Sequence, residues 1–138
     1  MIDDASHLYA QTKASFETLF PRVRPGGLYV IEDWAWFHWR GTEESFRGEI
    51  PLTKLITQLT EAAGSSGIAL IEELYVTSGF VAVRRGATAR EDLGNFRLDD
   101  WIYRHPDARP SPDPAWKYRV QGGRLVADHP GGWSFQTA

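Results

Sequence analysis

The stretch that decides the reading of this chain runs from residue 2 to residue 33. It opens with Ile2-Asp3-Asp4-Ala5-Ser6-His7 and closes with Pro25-Gly26-Gly27-Leu28-Tyr29-Val30-Ile31-Glu32-Asp33. Between these ends Thr12, Phe16, Leu19, Phe20 and Val23 recur at i, i+4, i+7, i+8 and i+11, which is one face of a helix. Leu28 to Ile31 is a nearly continuous apolar run, as expected of a strand buried on both faces. Two apolar segments, each ending in carboxylates and joined by one helix, read as a βαβ crossover in a parallel sheet. Ser6 is the expected N-cap, the helix is expected over about 7–23, and Pro21 is expected to end its regular part near Phe20.

Ligands of open parallel sheets bind outside the carboxyl ends of the strands. Adjacent strands lie only ~5 Å apart, so Asp4, Glu32 and Asp33 are expected to meet there. Crowded carboxylates need a compensating cation, and an oxygen-only set with no cysteine favours Mg²⁺ over softer ions. His7, three residues after Asp4, would stand beside the same strand end as a general base for a metal-held hydroxyl. The plain alternative is that acidic residues at strand ends only cap the helices that follow. Asp3 reads as structural or as a neighbour of a cosubstrate, and is the cofactor-binding candidate of the set. Trp34, Trp36, Phe37 and Trp39 follow at once. They form either an aromatic wall over an acceptor, with Trp34 and Trp36 as the substrate-binding candidates, or a loop packed on the core or on a partner. His38, His105 and His129 have no motif around them.

Further on, Pro51 suits the first turn of a second helix whose apolar positions are Leu52, Leu55, Ile56 and Leu59, with Gly64 as its stop. A strand is expected over 68–77, turning at Ser78-Gly79 into an antiparallel partner over 80–84. From Ala87 the periodicity fades and Pro and Gly multiply. The expected organisation is therefore an α/β domain over 1–86 and an extension over 87–138 that packs on the domain or on a partner, with a small hairpin near Tyr118 to Val126 turning at Gly122-Gly123.

The 138 residues carry a net charge of −3 and no basic stripe, so neither nucleic acid nor a membrane surface is an expected partner. The apolar runs fall far short of the ~20 residues of a membrane span. No signal-peptide pattern opens the chain, and a cytoplasmic location is expected. No Gly-x-x-x-x-Gly-Lys-Ser/Thr motif accompanies the acidic pair, which sets nucleotide hydrolysis aside.

The segments at 2–7, 15–21 and 25–33 together resemble the macrocin and mycinamicin sugar O-methyltransferase family. The resemblance covers roughly residues 1 to 86. It implies a class I, S-adenosylmethionine-dependent and Mg²⁺-dependent enzyme, with Asp4, Glu32 and Asp33 as metal ligands and His7 as the base. The spacing from Asp4 to Glu32 is also similar to that of catechol-type O-methyltransferases. Ala5 stands where the family usually has glycine. The Gly-rich turn and the acidic residue that hold the cosubstrate in such enzymes are not found here. The implied fold is a partial Rossmann-like methyltransferase fold, strands four to seven with their helices and the last strand antiparallel, plus an irregular C-terminal extension. The chain is thus expected to be the C-terminal half of a longer enzyme or of a two-part assembly, acting on a sugar or natural-product hydroxyl. A homo-oligomer is expected from the uncovered sheet. The alternatives are a truncated, non-catalytic module that pairs through that sheet, and a metal-dependent hydrolase.

Overall fold

The computed structural model describes residues 1–4, 6–42, 44–104 and 106, and the backbone of three further strands at 117–121, 124–128 and 134–136. The chain forms two compact units, Met1–Tyr103 and Arg104–Ala138. In the first unit the elements are β1 (Ile2–Asp3), α1 (Tyr9–Leu19), β2 (Leu28–Glu32), α2 (Thr53–Ser66), β3 (Ile71–Val76) and β4 (Phe80–Arg85). They build a mixed α/β layer with a four-stranded sheet of order β1-β2-β4-β3. β1 runs parallel to β2, with Ile2 opposite Val30 and Asp3 opposite Ile31. β4 is antiparallel to both β2 and β3. This is the expected crossover followed by an inserted antiparallel last strand. The second unit is a three-stranded antiparallel sheet of β5 (Lys117–Gln121), β6 (Arg124–Asp128) and β7 (Ser134–Gln136). The expected hairpin appears there as the β5–β6 pair; Gly122-Gly123 lie outside the described residues.

Alternation along the strands separates two faces. Tyr29, Ile31, Val81 and Val83 are buried on one face with Phe16 and Phe20 from the α1 side and Leu52, Leu55, Leu59 and Ala62 from the α2 side. The other face carries Ile2, Leu28, Tyr75 and Phe80, exposed at 66%, 40%, 62% and 37%. Both helices therefore serve one side of the sheet, and apolar surface remains on the other.

Several element ends differ from the sequence reading. Helix α1 begins at Tyr9 with Leu8 at its cap and no side-chain cap, because the Ser6 hydroxyl is spent locally: its Oγ lies 3.4 Å from the Leu8 amide and 3.4 Å from Thr12 Oγ1. At its far end the helix tightens into a single 3₁₀ turn, Phe20–Arg22, since Pro21 has no amide to continue the α ladder. Helix α2 starts at Thr53 rather than at Pro51, and passes through Gly64 to end at Ser66, with Gly67 as its C-cap. Gly67 adopts φ +57°, a conformation that side chains resist. The expected strand from Ile68 begins only at Ile71, after a 3₁₀ turn at Gly67–Ala69, and carries a bulge between Ile71 and Glu73.

The segment after β4 is more ordered than its composition predicts. Leu93, Phe96 and Leu98 are buried in the same core, with the Phe96 ring 6.2 Å from those of both Phe16 and Phe20. The Leu98 amide donates to Glu17 Oε1 at 3.0 Å, tying the segment to α1. No helix among the described residues is long and apolar enough to cross a membrane.

Candidate functional site

The carboxyl ends of β1 and β2 lie side by side, as parallel pairing requires. Asp4 follows β1 with its side chain 60% exposed, and His7 lies beside it with 16% exposure. Asp33 follows β2. Ligand atoms of Asp4, His7 and Asp33 all fall within 4.8 Å of one another. Two residues of this trio, His7 (φ +54°) and Asp33 (φ +52°), hold the left-handed backbone conformation. Each such non-glycine residue costs roughly 1–3 kcal/mol that the surrounding fold must offset. At Asp33 the turn is fixed on both sides: its amide donates to Gly79 O at 2.8 Å and its carbonyl accepts from the Trp36 amide at 3.3 Å. The left-handed turn breaks strand alternation, which brings the Asp33 carboxylate toward Asp4.

Glu32 is the last residue of β2, half-buried and opposite Phe80 on β4. It is outside the trio, because alternation puts it on the face opposite Ile31. Asp3 is buried with 7% exposure, and its Oδ2 accepts the Tyr29 hydroxyl at 2.5 Å. Burial first, then this hydrogen bond, raise the Tyr29 hydroxyl above the ordinary tyrosine range. Trp34 donates Nε1 to Thr77 O at 2.7 Å and packs against the core. Trp36 lies on His7, ring centroids 4.3 Å apart and planes tilted by 33°. His38 joins Thr53 Oγ1 at 2.6 Å. Ala5, His105 and His129 lie outside the described residues.

Two contributors carried no sequence signal. Tyr29 reads as an ordinary strand residue, yet its hydroxyl reaches the residue before Asp4. Thr42, in a polar loop, donates Oγ1 to the carbonyls of Trp36 and Trp39, both at 2.8 Å, and closes the aromatic turn. Both act only through hydrogen bonds formed in the folded chain.

Comparison with known proteins bears on this arrangement. No family model matches the chain. It is 58% identical over 41 residues to the mycinamicin VI 2''-O-methyltransferase of Micromonospora griseorubida, covering 30% of this chain and 10% of that protein. It is 50% identical over 56 residues to the demethylmacrocin O-methyltransferase of Streptomyces fradiae, covering 40% of this chain and 14% of that protein. The chain matches a part of the macrocin/mycinamicin-type sugar O-methyltransferases. Among solved structures, a MycE methyltransferase of the mycinamycin biosynthetic pathway, in complex with Mg, SAH and mycinamycin VI, is similar at 33% identity and a TM-score of 0.48, over 62% of this chain and 25% of that one. The chain thus spans only about a quarter or less of the length of these macrocin/mycinamicin-type relatives.

The donor chemistry of the trio suits a hard divalent cation. Two carboxylates supply oxygen ligands, an imidazole stands beside them, and the chain has no thiolate to favour a softer metal.

Proposed function

We propose that this chain is the catalytic part of a metal-dependent O-methyltransferase that moves a methyl group from S-adenosylmethionine to a hydroxyl of a sugar or other natural product. The observation that carries this reading is the gathering of Asp4, His7 and Asp33 at two adjacent parallel strand ends. The names of the matching relatives, which are O-methyltransferases of glycosylated natural products, support it. Asp4 and Asp33 would hold Mg²⁺, while Glu32, on the other face of β2, is outside this set. Bound there, the ion would supply Lewis-acid polarisation of the acceptor hydroxyl. His7 takes the hydroxyl proton on an imidazole nitrogen. S-adenosylmethionine, when bound, would supply an electrophilic methyl group and a neutral thioether as the leaving group for in-line transfer to the acceptor oxygen. Trp36 lies against His7, and Trp34, bonded to Thr77 O, packs on the core. Asp3, the cofactor-binding candidate, is buried with its carboxylate taken by Tyr29, so its role in this reading is to hold the strand end that carries Asp4.

The exposed apolar face formed by Ile2, Leu28, Tyr75 and Phe80 favours a second element of the reading, a homo-oligomer formed through that face. Light scattering tests it; a strict monomer at high concentration rejects it. The reaction is tested by binding and turnover together. Mn²⁺ binding by electron paramagnetic resonance is expected for the wild type and for His7→Ala, and is expected to be lost in Asp4→Asn. Methyl transfer, measured with the cosubstrate-binding portion of a macrocin-type relative supplied in trans, is expected to be lost in His7→Ala. Wild-type protein that binds no divalent cation, or His7→Ala with full turnover, rejects the reading.

A further inference from the structure

The imidazole of His7 needs a fixed orientation to act beside Asp4 and Asp33, and its own backbone does not give it one. His7 precedes α1, which starts at Tyr9, and its left-handed φ separates its side chain from the helical pattern. Polar contacts do not hold the ring either. Its Nε2 is 3.8 Å from Asp4 Oδ1, beyond hydrogen-bond distance, and it makes no other hydrogen bond among the described residues. What lies against the ring is the indole of Trp36, at 4.3 Å between centroids. Trp36 is itself held in place. Its amide donates to Asp33 O at 3.3 Å, its carbonyl accepts from Thr42 Oγ1 at 2.8 Å, and Trp39 lies 6.0 Å from its ring. The contact therefore runs from the turn that sets Asp33 to His7, three residues after Asp4, and it joins the two halves of the site.

We propose that Trp36 is a positioning residue for His7, its indole face holding the imidazole in the rotamer that keeps it beside Asp4 and Asp33. The proposal rests on the reading of those three residues as a metal-dependent reaction centre. It assigns the face of Trp36 to His7 instead of to the acceptor, and leaves the more exposed Trp39, at 51%, to meet an incoming ring. The Trp36 Nε1 is buried without a hydrogen-bond partner among the described residues. The polar edge of the indole thus adds nothing favourable, and the useful part of the residue is its flat face. A phenyl ring should do the same work.

Proton NMR of the full chain reads this directly. The wild type is expected to show a nuclear Overhauser contact between the His7 and Trp36 rings, with the His7 ring protons shifted upfield by the indole. Trp36→Phe keeps most of that shift. Trp36→Leu moves the His7 signals to the position of a free imidazole while the Mn²⁺ affinity, read by water-proton relaxation, stays the same. Added Mn²⁺ broadens the His7 signals in the wild type and broadens them less in Trp36→Leu, because the released imidazole leaves the cluster. Absence of the Overhauser contact in the wild type overturns the proposal without any variant having to fold. His7 signals in Trp36→Leu that match the wild type overturn it as well. Failure of the wild type to bind Mn²⁺ sinks the metal-centre reading instead, and the ring contact is still decided by the first measurement.

Discussion

Replacing Tyr29 by phenylalanine removes one oxygen from beneath the site. The Tyr29 ring packs edge-on against Phe16, with centroids 5.2 Å apart, and phenylalanine keeps that contact. What disappears is the 2.5 Å hydrogen bond to the buried carboxyl group of Asp3, together with the hydroxyl's link to Ser15. A hydrogen bond to a charged group contributes about 1.5–3 kcal/mol, and leaving the carboxylate buried and short of a donor adds to the loss. We expect Tyr29→Phe to cost about 2 kcal/mol in urea denaturation followed by tryptophan fluorescence, against a total of about 5–15 kcal/mol for an ordinary domain. β1 has only two residues, and this bond is its side-chain tie to β2. The same variant should therefore loosen Asp4 and weaken Mn²⁺ binding. The pH dependence gives an independent check. With its proton held more tightly in the fold than in the unfolded chain, Tyr29 stabilises the protein fully below the ordinary tyrosine value of about 10. Above it the unfolded chain binds fewer protons than the native one, and stability falls by up to about 1.4 kcal/mol per pH unit. Tyr29→Phe lacks that loss, so its deficit against the wild type should narrow above pH ~10. A cost below about 0.5 kcal/mol, or no coupling between Tyr29→Phe and Asp3→Asn in a double-mutant cycle, would refute the argument.

The other expectations are shorter. Asp33→Asn should fold as well as the wild type, since asparagine tolerates the left-handed turn, while Mn²⁺ affinity falls at least about tenfold; equal affinity in a titration removes Asp33 from the ligand set. Gly86→Ala should cost about 1–3 kcal/mol in the same denaturation assay, because a Cβ there would sit 2.1 Å from Ile68 O and 2.3 Å from Ala69 O. A variant as stable as the wild type contradicts that close approach. Among the described residues no Gly-rich turn joins a strand to a helix, so the chain by itself should bind S-adenosylmethionine weakly in isothermal titration calorimetry. Tight binding would locate a cosubstrate site within these residues.

Periodicity alone determined the frame of the first unit. The crossover from β1 through α1 to β2, the apolar face of α2 and the turn at Ser78-Gly79 all follow from the spacing of apolar residues and from turn chemistry, which are local signals. The same frame placed Asp4 and Asp33 at neighbouring strand ends, because parallel pairing leaves them nowhere else to go. Tertiary structure decided the rest. The Ser6 hydroxyl was diverted from capping, His7 and Asp33 took up left-handed turns, and the second of these turns separated Asp33 from Glu32. The bond from Tyr29 to Asp3 spans 26 positions in the chain, and the ring of Trp36 meets that of His7 from a different strand end. Leu93, Phe96 and Leu98 entered the core from a segment with no periodicity to announce them. Contacts of this kind depend on where two distant backbones are brought together, and no pattern within either stretch records the distance between them.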